Sequence, residues 1–213
     1  MTAIDPPILE SATTAPPRAA SIRRTTRETA IDARLLLDPD DDAPPSRIAT
    51  GIGMLDHMLT ALSTHAGWRL DLEAEGDLEV DDHHLAEDCG IVLGRLLGEA
   101  LGDRTGIRRF GWAMVPLDEA LTRVAVDLVA RPSATISLDL QRPMIGGLAA
   151  ENAEHLLESF ALHAPFTLHV RVLEGRNDHH RLESAFKSLA LAMADAVSPT
   201  NGTTVRSTKG TLQ

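Results

Sequence analysis

Tyrosine is absent from this chain, cysteine occurs once, and the other aromatics amount to four phenylalanines and two tryptophans. A lone thiol, Cys89, excludes an intrachain disulfide framework and fits a reducing compartment, so a cytoplasmic location is expected. No apolar run approaches the roughly 20 residues that cross a bilayer. The first 20 residues carry Asp5, Glu10 and four prolines without an apolar stretch, so residues 1–21 read as a disordered tail rather than a secretory signal. Basic charge is short too. A formal charge of −11 and a pI near 5.2 argue against nucleic acid or an anionic membrane as partner, because neutralising phosphates requires a net basic face. There is no Walker loop, dinucleotide fingerprint or G-x-S-x-G elbow.

Histidine, in contrast, is abundant, with nine in 213 residues. It titrates near neutrality and is the commonest metal ligand. Several of the nine fall in an internal repeat. HMLTALSTHAGWRLDL from His57 lies over HLLESFALHAPFTLHV from His155 without a gap, matching His57 to His155, Leu59 to Leu157, His65 to His163 and Leu70 to Leu168. Each copy then reaches an Asp-His-His turn, VDDHHLAED from Val80 and NDHHRLESAF from Asn177. The chain therefore reads as a duplicated unit of about 95 residues, with a first half over 22–107, a second over 108–200 and a C-terminal tail over 201–213.

Period-2 alternation predicts strands over about 27–37 and 119–129, and again at WRLDLEAEGDLEV and FTLHVRVLEG. Helical spacing of Leu, Met and Phe predicts helices over about 54–65 and 151–163, and second helices over about 84–101 and 180–197. Asp82 and Asp178, immediately before the His pairs, are expected to cap those second helices. PDDDAPP (39–45) reads as an extended hairpin loop, not a domain boundary.

The chemistry sits on His83, His84 and Glu87, matched by His179, His180 and Glu183. Adjacent helical residues project about 100° apart, so one His pair serves two ions better than one. Glu87 returns to the same face three or four residues later. Each cluster thus forms half of two sites, and His57 and His155 complete a set of six imidazoles and two carboxylates. Such ligands suit Mn, Fe(II), Co, Ni or Zn. His65 and His163, before Gly67 and Pro165, read as helix-end hydrogen bonders; His169 is a candidate only for a supporting contact, and Cys89 reads as a small buried hydrophobe. Arg108, Arg109, Arg131, Lys187 and Ser207-Thr208-Lys209-Gly210 are the anion-binding candidates. From spacing alone, Lys187 equally forms an i,i+4 ion pair with Glu183, and the Ser-Thr-Lys-Gly segment reads more readily as a frayed tail.

At GIGMLDHML, GDLEVDDHHLAED, GIRRFG, VPLDEAL, GRNDHH and STKGTL the chain closely resembles the imidazoleglycerol-phosphate dehydratases, enzymes of histidine biosynthesis, over about residues 22–212. The resemblance implies an α+β fold of duplicated β-sheet plus helix-pair units, like ribosomal protein S5 domain 2. It implies a hydro-lyase that removes water from imidazole glycerol phosphate to give imidazole acetol phosphate, with two Mn(2+) per active site. Trimers assembled into a 24-subunit shell with shared sites are implied as well. Carried over residue by residue, the metal ligands are His57, His83, His84, Glu87, His155, His179, His180 and Glu183. The general acid/base is Glu28, with His84 and Glu183 also in catalytic positions. Substrate contacts fall on Glu28, Arg109, Arg131, Lys187, Ser207 and Lys209. Three departures stand out: Ala61 where many members carry Gln, the longer acidic loop at 39–45, and ALHAP (161–165) without the glycine often found there.

Read from the residues alone, two rivals remain. A binuclear metallohydrolase would use the same ligands and release inorganic phosphate. A metal-storing shell would hold many ions per chain and leave the basic groups without a purpose.

Overall fold

The computed structural model describes residues 17–200 and 202–212. Most of the expected N-terminal tail lies outside the described residues, but Ala19–Thr25 form the first strand, β1, so residues 19–21 belong to the fold and not to the tail. β1 pairs antiparallel with β2 (Thr29–Leu36), β2 with β4 (Arg69–Gly76), and the short β3 (Arg47–Ala49) runs parallel to β4. The second sheet repeats this order. β5 (Phe110–Leu117), β6 (Ala120–Asp127), β10 (Thr167–Glu174) and β7 (Ser133–Ser137) lie side by side, with only the β7–β10 pairing parallel.

This arrangement corrects one sequence expectation. The segment 37–46 is no hairpin loop; it carries the chain past β4 to the far edge of the sheet. The predicted strand through Val80 likewise stops at Gly76, where a turn prepares the next helix. In the second half alone, β8 (Met144–Ile145) and β9 (Leu148–Ala149) form a hairpin whose two turn residues, Gly146 and Gly147, take φ of 53° and 83°. Both values lie in the left-handed region that a two-residue hairpin turn demands and glycine supplies without strain.

Four helices lie between the sheets: α1 (Gly53–Ala66), α2 (His83–Leu101), α3 (Ala150–His163) and α4 (Asp178–Val197). Each strand alternates, so Ile31, Ala33 and Leu35 of β2 and Val124 and Val126 of β6 point inward. Helix α2 covers β1 and β2, while α4 covers β5 and β6. The helices also pack across the repeat, α2 on α3 and α1 on α4, so one continuous core joins the halves. On α2, a Cβ at Gly90 would lie 2.5 Å from the Leu156 carbonyl oxygen, and one at Gly94 2.6 Å from that of Phe160. Only glycine lets α2 and α3 approach this closely.

Candidate metal centre and anion pocket

The cross-repeat packing decides which residues meet. α1 of the first half meets α4 of the second, and this brings His57 to His179 and Glu183. α3 meets α2, bringing His155 to His83 and Glu87. Within each group the ligand atoms lie within 4.8 Å of one another. In the first, Nε2 of His57 and of His179 stand 3.3 and 3.1 Å from Glu183 Oε2, and the two rings stack at 5.4 Å. In the second, His155 Nε2 stands 3.2 Å from Glu87 Oε1, and His83 stacks on His155 at 5.0 Å. His155 Nε2 is buried and has no hydrogen-bond partner. Two imidazoles and a carboxylate converging round such a nitrogen make a donor set that fits a divalent first-row ion.

His84 and His180 take no part in these groups, as expected from the 100° step between neighbours on a helix. Their Nδ1 atoms are tied to carboxylates, His84 to Asp77 at 3.1 Å and His180 to Glu119 at 2.7 Å. A carboxylate on Nδ1 fixes the tautomer and leaves Nε2 as the free donor atom. The same bonds raise both imidazoles above their ordinary value. Glu119, held by His180 and by the amides of Asn177 and Arg176, is driven well below the usual carboxylate range. The free Nε2 of His84 lies 3.9 Å from Glu28 Oε1, in the β1–β2 turn, and that of His180 lies 3.8 Å from Asp118 Oδ2, in the β5–β6 turn.

The capping expectation needs correction. Asp82 occupies the cap position of α2 and its carbonyl accepts from the Ala86 amide, but its carboxylate bonds none of that helix's amides. Asp81 accepts from the His83 amide instead, and Asn177 accepts from that of His179. Asp82 turns inward, accepting from the Ala149 amide and the Asn152 side chain, and the buried Asp178 accepts from the amides of Gln141 and Arg142. Burial alone would raise Asp178, yet these amides and the nearby Arg142 and Arg181 bring it below its ordinary value.

Lys187 Nζ pairs with Glu183 Oε1 at 2.8 Å, the i,i+4 contact that spacing allowed. Burial alone would raise Glu183 too, but Lys187 and His57 hold it down at about 2. The remaining anion candidates gather elsewhere. Arg109, Arg131, Arg206, Ser207, Thr208 and Lys209 line a cleft of about 560 Å³. The tail is anchored there, its Leu212 carbonyl accepting from the Ala130 amide and its Arg206 carbonyl from Arg109. Arg108 stands outside, paired with Asp195. His163 bonds the Ser159 carbonyl as a helix-end group, whereas His169 lies exposed on the outer face of its strand, away from either cluster. Cys89 is fully buried.

Sequence reasoning missed Asp77, Glu119, Asn152 and Arg206. Asp77 sits within GDLEVDDHHLAED, Glu119 within VPLDEAL, and Arg206 adjoins the Ser-Thr-Lys-Gly segment, so three of the four had a local signal. Asn152 reaches its histidine only through the fold.

The imidazoleglycerol-phosphate dehydratase family model matches residues 50–193. The chain is 50% identical over 208 residues to the imidazoleglycerol-phosphate dehydratase of Candida glabrata, covering 91% of this chain and 99% of that protein. It is 55% identical over 165 residues to that of Saccharomyces cerevisiae, covering 78% and 75%. Among solved structures, the dehydratase from Staphylococcus aureus superposes with a TM-score of 0.76 at 35% identity, over 85% of this chain and 99% of that one. The Pyrococcus furiosus structure gives 0.75 at 35%, over 89% and 99%.

Proposed function

Because the chain belongs to the imidazoleglycerol-phosphate dehydratase family of hydro-lyases in histidine biosynthesis, we propose that it removes water from imidazole glycerol phosphate to give imidazole acetol phosphate, using two Mn(2+) ions per active site in the cytoplasm. The observation that carries this reading is the pair of matching clusters, each of two histidines and one glutamate, built by helices from opposite halves. Divalent ions held there would supply Lewis acidity and a template for the imidazole ring of the substrate.

The chain's own residues supply the rest. Glu28 is exposed at its turn and faces His84 Nε2, placed to take the carbon-bound proton and to return one to the leaving hydroxyl. The C–H bond lies beside an imidazole rather than a carbonyl, so a base unaided by ring polarisation would not suffice. Arg109, Arg131, Ser207 and Lys209 would hold the phosphate and so fix the reacting atoms. Lys187 would join them from the Glu183 side.

The cleft holding Arg109 and the Glu183 cluster stand too far apart to serve one substrate within one chain. Arg109 bonds Ala196 through its amide, near the C-terminal end of α4, while Glu183 lies near the start. The thirteen residue steps from Glu183 to Ala196 rise about 20 Å along the helix. A small phosphate ester cannot span that, so a working site requires anion pocket and clusters from different copies. His84 and His180, each with a free Nε2 outside its own chain's cluster, are the groups suited to complete a neighbour's. Site sharing would meet this need, and the trimers within a 24-subunit shell that the resemblance implies would be the arrangement that supplies it. Phe110, Trp112 and Met114, exposed in a row on edge strand β5, offer such copies an apolar face.

The test is metal content of the assembled protein measured beside turnover of imidazole glycerol phosphate, before and after chelation. Loss of turnover with the metal, and its return on adding manganese(II), is expected. Activity indifferent to complete metal removal would overturn the reading, and release of inorganic phosphate would favour a binuclear hydrolase.

A further inference from the structure

The two clusters are copies in sequence but not in their support. In the second, the His83 ring is held by Asn152, whose Oδ1 lies 3.0 Å from His83 Nδ1. Asn152 is itself fixed, because its Nδ2 donates to Asp82 Oδ1 at 3.0 Å and Asp82 Oδ2 accepts from the Ala149 amide at 2.7 Å. A carboxylate only accepts, so it compels the Asn152 amide to present its NH2 to Asp82 and its oxygen to His83. His83 Nδ1 must then carry the proton, leaving the Nε2 lone pair for a ligand. All of this is shielded, with Asn152 4% and Asp82 8% exposed.

Among the described residues, nothing equivalent serves the first cluster. Laying His57 on His155 places Met54 at the position of Asn152, and a thioether cannot accept from an imidazole in this way. Asp178, the counterpart of Asp82, spends its carboxylate on the Gln141 and Arg142 amides. Among the described residues, none forms a hydrogen bond with His179 Nδ1. A second difference points the same way. Lys187 puts an ammonium on Glu183, where the first copy has Ile91 at the matching place, so among the described residues Glu87 faces no lysine or arginine.

We propose that Asn152 is a positioning residue and that the two ions are held unequally, with the His83–Glu87–His155 cluster retaining its ion longer than the His57–His179–Glu183 cluster. The inference rests on the reading that both clusters bind divalent metal. A partner that fixes ring orientation and tautomer in advance removes that ordering from the binding step, and loss of such a partner typically weakens metal affinity about 10–100-fold.

The experiment follows manganese(II) release from the loaded, assembled protein after excess chelator is added, counting ions by elemental analysis. The wild type should release its manganese in two phases of similar amplitude. Asn152→Met, the residue the duplicate itself uses, should speed the slow phase about tenfold or more and leave the fast phase alone. Asp82→Asn, nearly isosteric, frees Asn152 to turn its other end to His83 and should speed the same phase less. A single phase in the wild type would overturn the proposal, as would a slow phase unmoved in both variants while circular dichroism shows them folded. A wild type that binds no manganese would sink the metal reading itself, which sets that failure apart.

Discussion

Glu28 is the acid/base candidate whose role is easiest to isolate, because it stands exposed in the β1–β2 turn and belongs to neither three-residue cluster. Glu28→Gln should therefore cost about 10²–10⁴-fold in kcat through loss of proton transfer, with metal content unchanged. Near-normal turnover in that variant would remove Glu28 from the mechanism. His84 and His180 give a second residue-level test. Their raised values mean that proton binding favours the folded chain, a contribution complete below 6.5 and lost as the pH climbs through the folded-state value. Metal ligation requires neutral imidazole and runs the opposite way. Between about pH 6 and about pH 8, the chelator-stripped protein should lose thermal stability while manganese uptake rises. A stripped protein whose Tm increased across that window would contradict the assignment. Cys89 provides a control for intactness. Burial, with Asp88 and Asp56 adding to it, pushes its thiol up to about 12, so a thiol reagent should label it only after denaturation.

At the scale of elements, the close approach of α2 and α3 is what joins His83 and Glu87 to His155. Gly90→Ala would gain up to about 1 kcal/mol in helix propensity. Its Cβ would sit 2.5 Å from a backbone carbonyl that has no rotamer to escape by, and the clash should leave a net loss of about 2 kcal/mol. Chemical denaturation would read that loss. Manganese release should quicken from the His83 cluster, since separating α2 from α3 spreads its ligands, and an unchanged denaturation midpoint would contradict the packing argument. This helix layer was legible beforehand because the 3.6-residue pattern occurs twice, which also exposed all eight ligand candidates. The edge strands were not legible. β1 turns Arg24 inward to meet Asp88 at 2.6 Å, which puts a charged residue where an apolar–polar pattern needs an apolar one. β5 is apolar on its outward positions Phe110, Trp112 and Met114 as well as inward, so it shows no period of two. The crossing of 37–46 and the partner Asn152 depend on contacts remote in sequence, where no local pattern carries a signal.

Considered as a whole molecule, the chain carries one surface unlike its duplicate. The outward positions of β1 are Ser21, Arg23 and Thr25, which water solvates readily, whereas those of β5 are Phe110, Trp112 and Met114. Of the six aromatic residues in the sequence, Trp68, Phe160, Phe166 and Phe186 are buried and the other two lie on this strip. An uncharged edge strand is a template for association, and a row of large apolar side chains there costs solubility unless it is covered. Because Phe110 also lines the cleft with Arg109 and Lys209, a second copy seated on the strip would lie next to the anion pocket, where cluster residues from another chain are needed. Trp112, 71% exposed in the single chain against 7% for Trp68, is the reporter. In the assembled protein both indoles should resist acrylamide quenching, and Trp112→Glu should yield smaller particles by sedimentation, with turnover lost and secondary structure retained. Arg23→Glu, at the corresponding polar strand, should change neither particle size nor folding. A freely quenched Trp112 in full-sized particles would show that the copies meet elsewhere, and the strip would then need another explanation.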